Sequence, residues 1–455
     1  MGNHFDYRNI LIVGLGKSGE AAFDALAGRG ARLAVYDAKD IAAEAPAVFR
    51  KILAAGARVF MGGADVPDEG WDLVVPSPGV PLTLPFIERA RARGAKVLGE
   101  LELAYLLGHG SFVAITGTNG KTTTTTLVAE IFRAGGRDAV AAGNIGNPVL
   151  TEALAAEDGA WLITEVSSFQ LDTTEAFRPA VSVFLNLTPD HMDRHHTMEG
   201  YRAAKAKIFA RQTGEDAFVY NADDAFVRPL AQGCRARPVP FSRTRALPDE
   251  GAAFVQDGMI VILEGGAARP VIPVGALRIP GAHNLENALA AAAASRAAGV
   301  SLEAIAAALG SFAGVEHRLE LVRELSGVRF VNDSKGTNPD ASIKALEAVE
   351  PGIILIAGGY DKHADFTEFL TAGKGRVKAL LLLGATAAQI ESEAQALGYA
   401  DIRRVADMAE AVRTGYALAE EGDTVLLSPA CASWDMYDNF EQRGDHFRKE
   451  AEALA

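Results

Sequence analysis

The sequence contains very little cysteine and no excess of positive charge. Its 455 residues include two cysteines, Cys234 and Cys431, too few for a disulfide scaffold or a cysteine-only structural zinc site. Asp and Glu number 58 while Lys and Arg number 44, so the formal net charge is −14. That charge creates no global field that would attract nucleic acid or an anionic membrane, and we expect neither as a partner.

Long apolar runs are also missing. None reaches the roughly 18 uninterrupted residues that cross a bilayer, and the tract Ala288–Ala294 lies between polar residues. The residues from Met1 to Arg8 include Asp6 and lack the basic-then-apolar order of a secretory signal. We therefore expect a cytoplasmic protein that does not insert into membranes.

The chain instead alternates short apolar runs with segments of helical spacing. Its length corresponds to roughly three domains of about 150 residues, and hydrophobic residues make up 49% of it, enough for several buried cores. The apolar runs end in glycine or a polar turn, which is typical of parallel sheets wrapped by helices. We predict an α/β protein of three domains: a Rossmann-like domain at 1–98, a central P-loop ATPase-like domain at 99–313 and a Rossmann-like α/β domain at 314–455.

A phosphate-binding loop follows the apolar run Phe112–Ile115. The residues Thr116-Gly-Thr-Asn-Gly-Lys-Thr-Thr123 lead into a segment of helical spacing, and the glycines let successive backbone N–H groups point at phosphate oxygens. Lys121 supplies a charge for the β- and γ-phosphates, and a threonine hydroxyl after it is placed to hold Mg²⁺. An isoleucine stands where the strict pattern has its first glycine, so the loop is a variant of the P-loop.

A second glycine-rich loop, Gly14-x-Gly16-x-x-Gly19, follows the apolar run Ile10–Val13. Asp37 lies about 20 residues further on, as in dinucleotide-binding loops. Taken alone, the pattern would indicate an NAD-dependent oxidoreductase. It establishes only that a pyrophosphate can bind at a helix N-terminus, and the nucleotide stays undefined at this point.

Acidic and histidine residues follow two further strands of the central domain. Glu165 ends the run that begins at Trp161, where a carboxylate can complete Mg²⁺ coordination beside a P-loop, although a solvated strand-end acid fits equally well. The segment Asp190–His196 is rich in histidine but lacks a zinc-binding spacing. His191 is a candidate ligand for a divalent ion or a substrate oxygen, and the two histidines at the end of the segment are predicted to be loop residues.

Other polar groups fit structural roles as well as functional ones. Lys205 and Lys207 lie two apart on a predicted helix, which in isolation predicts a solvated face. Asn284 and Asn287 place two amides on one helix face, suited to a nucleotide or to an N-cap. In the third domain, polar residues gather at strand ends, where open α/β sheets bind ligands; they are His317, Arg318, Asn332–Thr337, Asp361 and Lys362.

Taken in order, these motifs resemble the Mur ligase family, and the resemblance covers nearly the whole chain. The motifs that carry it are Thr116–Thr123, Glu165-Val-Ser-Ser168, Asp190-His-Met-Asp193, His283-Asn-x-x-Asn287, His317-Arg318 and Asn332-Asp-Ser-Lys335. Three more are similar to the members that add D-glutamate, namely Ser168-Phe-Gln-Leu171, Ser428-Pro-Ala-Cys-Ala-Ser433 and Asn439-Phe-Glu-Gln-Arg-Gly444.

The resemblance implies three domains that bind a UDP-sugar, ATP with Mg²⁺, and an amino acid, in that order. It implies an ATP-dependent ligase that adds D-glutamate to UDP-N-acetylmuramoyl-L-alanine through an acyl phosphate, in peptidoglycan precursor synthesis. It also implies two Mg²⁺ ions and a carbamylated Lys205. We expect a monomer.

The family's functional residues carry over position by position. Those implied for catalysis are Lys121, Glu165, His191 and Lys205, and those for metal binding are Thr122, Glu165, His191 and the Lys205 carbamate. Those implied for ATP are Gly117, Thr118, Asn119, Gly120, Lys121, Thr122, Thr123, Asn284, Asn287, Arg318 and Asp333. Those implied for the UDP-substrate are Lys17, Ser18, Asp37, Ser77, Gly79, Asn144 and His191. Those implied for D-glutamate are Lys335, Thr337, Lys362, Ser433 and Phe440.

Two features depart from the family pattern: Trp434 stands where a smaller aliphatic residue is expected, and the loop between His191 and Lys205 is one residue shorter. The alternatives are a sister Mur ligase or a folylpolyglutamate synthetase, an NAD-dependent dehydrogenase and a non-catalytic nucleotide-binding protein. The Ser-Ser-Phe-Gln and Ser-Pro-Ala-Cys-Ala-Ser motifs count against the first two. The dehydrogenase rests only on the first glycine loop with Asp37, and it leaves Lys121 unexplained.

Overall fold

The computed structural model describes residues 5–63, 65–279, 281–360 and 364–454, without the side chain of Asp193. The fold contains three β-sheets with helices between their strands. Two compact units divide the chain: Met1–Ala276 with Glu286–Gly310, and Leu277–Leu285 with Ser311–Ala455. Among the described residues, no helix combines the length and apolar character needed to cross a bilayer.

The first sheet lies in the first unit and has five parallel strands in the order β3-β2-β1-β4-β5. Its elements are β1 (Asn9–Val13), α1 (Lys17–Leu26), β2 (Arg32–Asp37), α2 (Ile41–Glu44), α3 (Pro46–Ala54), β3 (Arg58–Met61), β4 (Leu73–Pro76), α4 (Pro85–Ala92) and β5 (Lys96–Val97). The run Ile10–Val13 is continuously apolar because successive side chains enter two different cores, one on each face of the sheet.

The first helix begins earlier than the sequence predicts. Its spacing predicts a helix over 20–30, whereas α1 begins at Lys17 and ends at Leu26. Gly19 therefore lies inside the helix, where an added Cβ would come within 1.8 Å of the Gly14 carbonyl oxygen. The third glycine of the loop thus permits close packing of the helix against the loop that precedes it.

The second sheet, also in the first unit, has the order β14-β13-β12-β11-β10-β9-β6-β8-β7. Neighbouring strands are parallel from β12 to β7, whereas the pairs β12–β13 and β13–β14 are antiparallel, so a hairpin forms one edge. The elements of this part of the chain are α5 (Glu100–Leu107), β6 (Ser111–Thr116), α6 (Lys121–Ala134), β7 (Ala139–Gly143), α7 (Val149–Ala155), β8 (Trp161–Glu165), α8 (Ser168–Leu171), β9 (Val181–Phe184), α9 (Met192–His195), α10 (Met198–Ala206), β10 (Ala217–Asn221), β11 (Arg237–Ser242), β12 (Ala253–Gln256), β13 (Met259–Glu264), β14 (Ala267–Pro273), α11 (Ala282–Ala297) and α12 (Leu302–Ser311).

The third sheet lies in the second unit and has the order β15-β16-β20-β17-β18-β19, in which only the edge strand β15 is antiparallel to its neighbour. Alternate residues of β17 enter two cores, as in β1. The three sheets confirm the predicted α/β class. The elements are β15 (Glu320–Leu325), β16 (Val328–Asn332), α13 (Pro339–Ala348), β17 (Ile353–Ala357), α14 (Thr367–Gly373), β18 (Val377–Leu382), α15 (Ala387–Ala396), β19 (Ile402–Arg404), α16 (Met408–Leu418), β20 (Thr424–Leu427) and α17 (Phe440–Ala453).

Within the first unit, a buried carboxylate joins α5 to the N-terminus of α7. The side chain of Glu100 is buried and accepts a hydrogen bond from the Leu150 N–H. Burial raises the pKa of this carboxyl to about 7, opposed by the backbone N–H groups of Leu150 and Val149. The folded chain therefore binds this proton more tightly than the unfolded chain does.

The raised pKa of Glu100 predicts a pH-dependent contribution to stability. It is fully present below the ordinary pKa of 4.5 and is lost as the pH rises through about 7. Gln keeps an oxygen acceptor without the charge. We therefore expect the free energy of unfolding of Glu100→Gln, relative to that of the unmodified chain, to increase by up to about 3 kcal/mol when the pH is raised from about 5 to about 9. Urea denaturation at both pH values measures this gain, with the exposed Glu88→Gln as control. An equal pH dependence in the unmodified chain and Glu100→Gln would contradict the assignment.

Candidate functional site

Four neighbouring parallel strands of the second sheet bring their following loops to one edge. The strands are β9, β6, β8 and β7, in that order across the sheet. The P-loop follows β6, Glu165 ends β8, and Asn186 and Asn144 follow β9 and β7. Because the carboxyl ends of parallel strands share an edge, residues distant in sequence meet here.

The P-loop closes on itself through its lysine. Lys121 is the first residue of α6, and its Nζ donates to the carbonyl oxygens of Gly117 at 3.0 Å and Thr118 at 2.7 Å. Gly120 has a φ of 83°, and an added Cβ would come within 2.2 Å of Asn287 Oδ1. The loop thus requires glycine there for both its backbone conformation and its contact with α11.

The loop after β9 braces the P-loop. Asn186 Oδ1 accepts from the Asn119 N–H at 2.9 Å, and Asn186 Nδ2 donates to the Asn119 carbonyl at 3.1 Å. The Thr118 hydroxyl donates to the Thr188 carbonyl at 3.1 Å and accepts from the Thr188 N–H at 3.0 Å. Sequence reasoning missed Asn186 because its partners lie 67 residues away.

Glu165 is buried between a P-loop threonine and the loop after β7. Its carboxylate accepts from the Thr122 hydroxyl at 2.8 Å and from Asn144 Nδ2 at 3.1 Å. The structure therefore brings together Thr122 and Glu165, predicted for metal binding, with Asn144, predicted for the UDP-substrate. These oxygen atoms are the hard donors that Mg²⁺ prefers.

Lys205 lies in the interior beneath the P-loop. Its side chain is 2% exposed, and its Nζ donates to the Gly117 carbonyl at 2.8 Å and the Thr116 hydroxyl at 3.3 Å. Burial lowers the pKa of this amine well below its ordinary value, and the charge of Lys121 lowers it further. The solvated face that the isolated pattern predicts for Lys205 is therefore wrong.

The histidines after β9 differ in their surroundings. The His191 ring lies 4.9 Å from the Phe169 ring, and its Nε2 lies 3.6 Å from an Asp190 carboxylate oxygen. His195 ends α9 rather than lying in a loop, and its Nε2 is 2.9 Å from the Ser168 hydroxyl. Within the described part of the chain, no three His, Cys, Asp or Glu side chains are grouped to hold a metal ion.

In the first sheet, two predicted UDP-substrate residues hold the glycine-rich loop. Asp37 Oδ2 accepts from the Leu15 N–H at 2.7 Å, and the Ser77 hydroxyl donates to the Gly14 carbonyl at 2.9 Å. The remaining predicted residues are Lys17 and Ser18 in the first turn of α1 and the exposed Gly79.

In the second unit, Asp333 is a buried acid beside Arg318. Burial raises the pKa of Asp333 to about 7, opposed first by the Arg318 charge and then by the Ser428 hydroxyl, which donates to it at 2.8 Å. The buried Nε of Arg318 has no hydrogen-bond partner among the described residues. Asn284, which is also predicted to bind ATP, is buried at the start of α11.

The described residues among those predicted to bind D-glutamate lie in the second unit, where Lys335 Nζ is 4.4 Å from the centroid of the Phe440 ring. The Thr337 N–H donates to the Lys335 carbonyl at 2.8 Å, and Ser433 is buried. Lys362 falls outside the described residues. Trp434, the departure noted in the sequence, is 61% exposed and lies beside Tyr360.

Comparison with protein families gives three matches along the chain. The Mur ligase MurD-like N-terminal domain matches residues 8–99, the Mur ligase middle domain matches 115–295, and the Mur ligase glutamate ligase domain matches 317–431. The matched segments coincide in turn with the first, second and third sheets.

Several curated proteins are similar over nearly their whole length. The UDP-N-acetylmuramoylalanine--D-glutamate ligase of Alkaliphilus oremlandii is 48% identical over 446 residues, with 97% of each chain covered. The proteins of the same name from Clostridioides difficile and Geobacillus kaustophilus are 46% and 47% identical, again with 97% of each chain covered.

Solved structures share the fold at lower identity. UDP-N-acetylmuramate-alanine ligase MurC from Thermotoga maritima has a TM-score of 0.61 at 20% identity, covering 98% of this chain and 99% of that one. MurF ligase from Thermotoga maritima, solved in complex with ADP, has a TM-score of 0.60 at 17% identity, covering 100% and 98%. The domain matches and the full-length relatives agree, and the chain belongs to the Mur ligase family.

Proposed function

We propose that this protein catalyses the ATP-dependent addition of D-glutamate to UDP-N-acetylmuramoyl-L-alanine, a step of peptidoglycan precursor synthesis. The observation that carries the proposal is 48% identity over 97% of the chain to a relative of that name. The P-loop with its buried Thr122–Glu165 pair supports it, since this arrangement suits phosphoryl transfer. We further propose domains at 1–98, 99–313 and 314–455, which bind the UDP-substrate, ATP and the amino acid, respectively.

ATP would bind with its phosphates at the P-loop. The loop precedes the N-terminus of α6, where backbone N–H groups and the helix dipole favour phosphate. Lys121 already lies over this loop, so its ammonium would meet the β- and γ-phosphates. The fold neighbour MurF was solved with ADP, which supports a nucleotide in this family. Asn287 and Thr124, in hydrogen-bond contact at 3.3 Å, would support the loop from α11.

The reaction has two chemical steps. A carboxylate oxygen of the alanine attacks the γ-phosphorus while the bond to the bridging oxygen breaks, which releases ADP and leaves an acyl phosphate. The amine of D-glutamate then attacks the acyl carbon, loses a proton and displaces phosphate to form the amide. The protein's part is to align the reactants and neutralise the charge that moves onto phosphate oxygens, a task that suits Lys121.

The donor set at the P-loop fits Mg²⁺. Thr122 and Glu165 lie within hydrogen-bond distance of each other and offer hard oxygen atoms. We propose that Thr122, Glu165, His191 and a carbamate on Lys205 would hold two Mg²⁺ ions. Bound Mg²⁺ supplies positive charge that offsets the charge of the triphosphate.

Carbamylation suits the environment of Lys205. The neutral amine is the form that reacts with CO₂: a bond forms between Nζ and the carbon atom, and a proton is released. Burial beneath the P-loop favours this neutral form, because an ammonium there loses its hydration. The product is a carboxylate-like group, and it would place an anion that can bind metal next to Lys121.

The two remaining substrates are assigned to the glycine loop of the first sheet and to the second unit. The glycine loop would hold the UDP pyrophosphate at the start of α1, with Lys17 and Ser18 in its first turn and Asp37 and Ser77 bracing it. D-glutamate would bind near Lys335 and Phe440 together with Thr337, Lys362 and Ser433. Lysines suit an amino acid with two carboxylates.

Phosphate release from ATP tests the function directly. We expect release with Mg²⁺ and UDP-N-acetylmuramoyl-L-alanine to require D-glutamate in a panel of D- and L-amino acids. Release with a different amino acid would make the protein a sister ligase with the same fold and mechanism. Absence of release with every amino acid would contradict the proposal, and a nicotinamide absorbance assay would then test the dehydrogenase alternative.

A further inference from the structure

A buried arginine in the second unit connects segments that are far apart in sequence. Arg443 lies in the first turns of α17 and is 2% exposed. Its Nε donates to the Ser334 hydroxyl at 3.0 Å, and its Nη2 donates to the Ser334 carbonyl at 2.7 Å. Its Nη1 donates to the carbonyl oxygens of Cys431 at 3.1 Å and Ala432 at 3.2 Å. One guanidinium, carried by α17, therefore binds two separate loops.

The bound segments adjoin the residues assigned to D-glutamate. Ser334 directly precedes Lys335, and Ala432 directly precedes Ser433. The Ser334 hydroxyl in turn donates to the Phe440 carbonyl at 2.8 Å, and Lys335 lies against the Phe440 ring. Hydrogen bonds thus connect Arg443 to the segments that carry three of the side chains that the proposed function assigns to the amino acid.

The geometry requires arginine rather than another cation. A planar guanidinium offers five N–H groups in a rigid fork, which can bind a hydroxyl and several carbonyl oxygens at once, whereas an ammonium is a point charge on a flexible stem. Burial lowers the pKa of Arg443 to about 10, so it remains charged near neutral pH. Burying a charge is costly, and α17 already has an apolar anchor in Phe447, so packing alone does not account for an arginine here.

We propose that Arg443 is a positioning residue for the amino-acid substrate, because it holds the Lys335 and Ser433 segments in fixed relation. This inference rests on the proposed function. It concerns the second chemical step alone, since the first step needs only ATP and the UDP-substrate. Loss of the Arg443 guanidinium should therefore impair the use of D-glutamate without preventing phosphorylation of the UDP-substrate.

Steady-state kinetics of Arg443→Gln and Arg443→Lys test the proposal. We expect the KM for D-glutamate to rise by at least about tenfold in Arg443→Gln, while the KM values for ATP and the UDP-substrate stay within about twofold. Arg443→Lys, which retains the charge, should lie between Arg443→Gln and the unmodified enzyme. ADP–ATP exchange that requires the UDP-substrate, measured without D-glutamate, should persist in both variants.

Phe447→Leu is the matched control, since it weakens the packing of the same helix at a buried position in an apolar core. We expect it to lower the urea midpoint without changing the KM for D-glutamate. An unchanged KM for D-glutamate in both Arg443 variants, an equal rise in all three KM values, or the same D-glutamate defect in Phe447→Leu would overturn the proposal. If Arg443→Gln does not fold, Arg443→Lys must still show the selective rise. Failure of the proposed function would appear separately, as unmodified enzyme that does not require D-glutamate.

Discussion

Lys121→Ala is expected to reduce turnover by about 10³-fold or more, because it removes the charge that we propose stabilises the γ-phosphate in the transition state. Lys121 begins α6 and its Nζ bonds two carbonyl oxygens of the P-loop, so the ammonium is already held at the loop. Release of phosphate under saturating ATP, UDP-substrate and D-glutamate measures the effect. Both chemical steps should be lost, because no acyl phosphate forms without the first.

A matched lysine controls for the loss of a positive charge. Lys207 is half-exposed and pairs with Asp172 at 2.7 Å, so Lys207→Ala should keep turnover within about twofold of the unmodified enzyme. The urea midpoint of each variant separates chemical loss from unfolding. A kcat close to that of the unmodified enzyme in Lys121→Ala would reject the P-loop assignment.

Lys205→Ala is expected to lose at least about 10²-fold in kcat, because the change removes the buried group that we propose supplies a metal-binding carboxylate. Small carboxylic acids such as formate or acetate should restore part of the activity, since the truncated side chain leaves space beneath the P-loop and the acid supplies the missing oxygens. Initial rates across a series of acid concentrations measure this rescue.

Two controls define what the rescue means. The same acids should not raise the rate of Lys121→Ala, which lacks a cation rather than a carboxylate. A carbamate signal after labelling with ¹³C-bicarbonate should appear in the unmodified enzyme and be absent from Lys205→Ala. A Lys205→Ala variant without rescue, together with an unmodified enzyme without the signal, would reject carbamylation, while D-glutamate-dependent phosphate release would still support ligation.

Much of the fold can be predicted from local patterns. The runs at 10–13, 181–184 and 424–427 form strands because continuous apolar segments of this length suit strands buried on both faces. The P-loop was predictable because its glycines and Lys121 lie within one continuous strand–loop–helix segment. The helix boundary at Lys17 was not, because the close approach of Gly19 to the Gly14 carbonyl is a contact of the folded loop.

The residues that local patterns misjudge or leave without a role depend on distant partners. Lys205 is spaced as if it lay on a solvated face, yet its amine bonds a carbonyl 88 residues away. His195 is predicted to be a loop residue, yet it ends a helix and contacts Ser168, 27 residues distant. Arg443 lies in a recognisable motif, but its role emerges only from its bonds to Ser334, 109 residues earlier.

The amino-acid order alone is therefore sufficient for the α/β class, the strands formed by continuous apolar runs, the glycine-rich loop after β6 and the family resemblance, because each follows from spacing within a few tens of residues. The tertiary structure determines which charged groups are buried and which partners they bind. Parallel strands carry separate loops to one sheet edge, where Glu165 accepts a hydrogen bond from Thr122. Burial there lowers the pKa of Lys205. Residue spacing cannot predict these effects, because the atoms that cause them come from other parts of the chain.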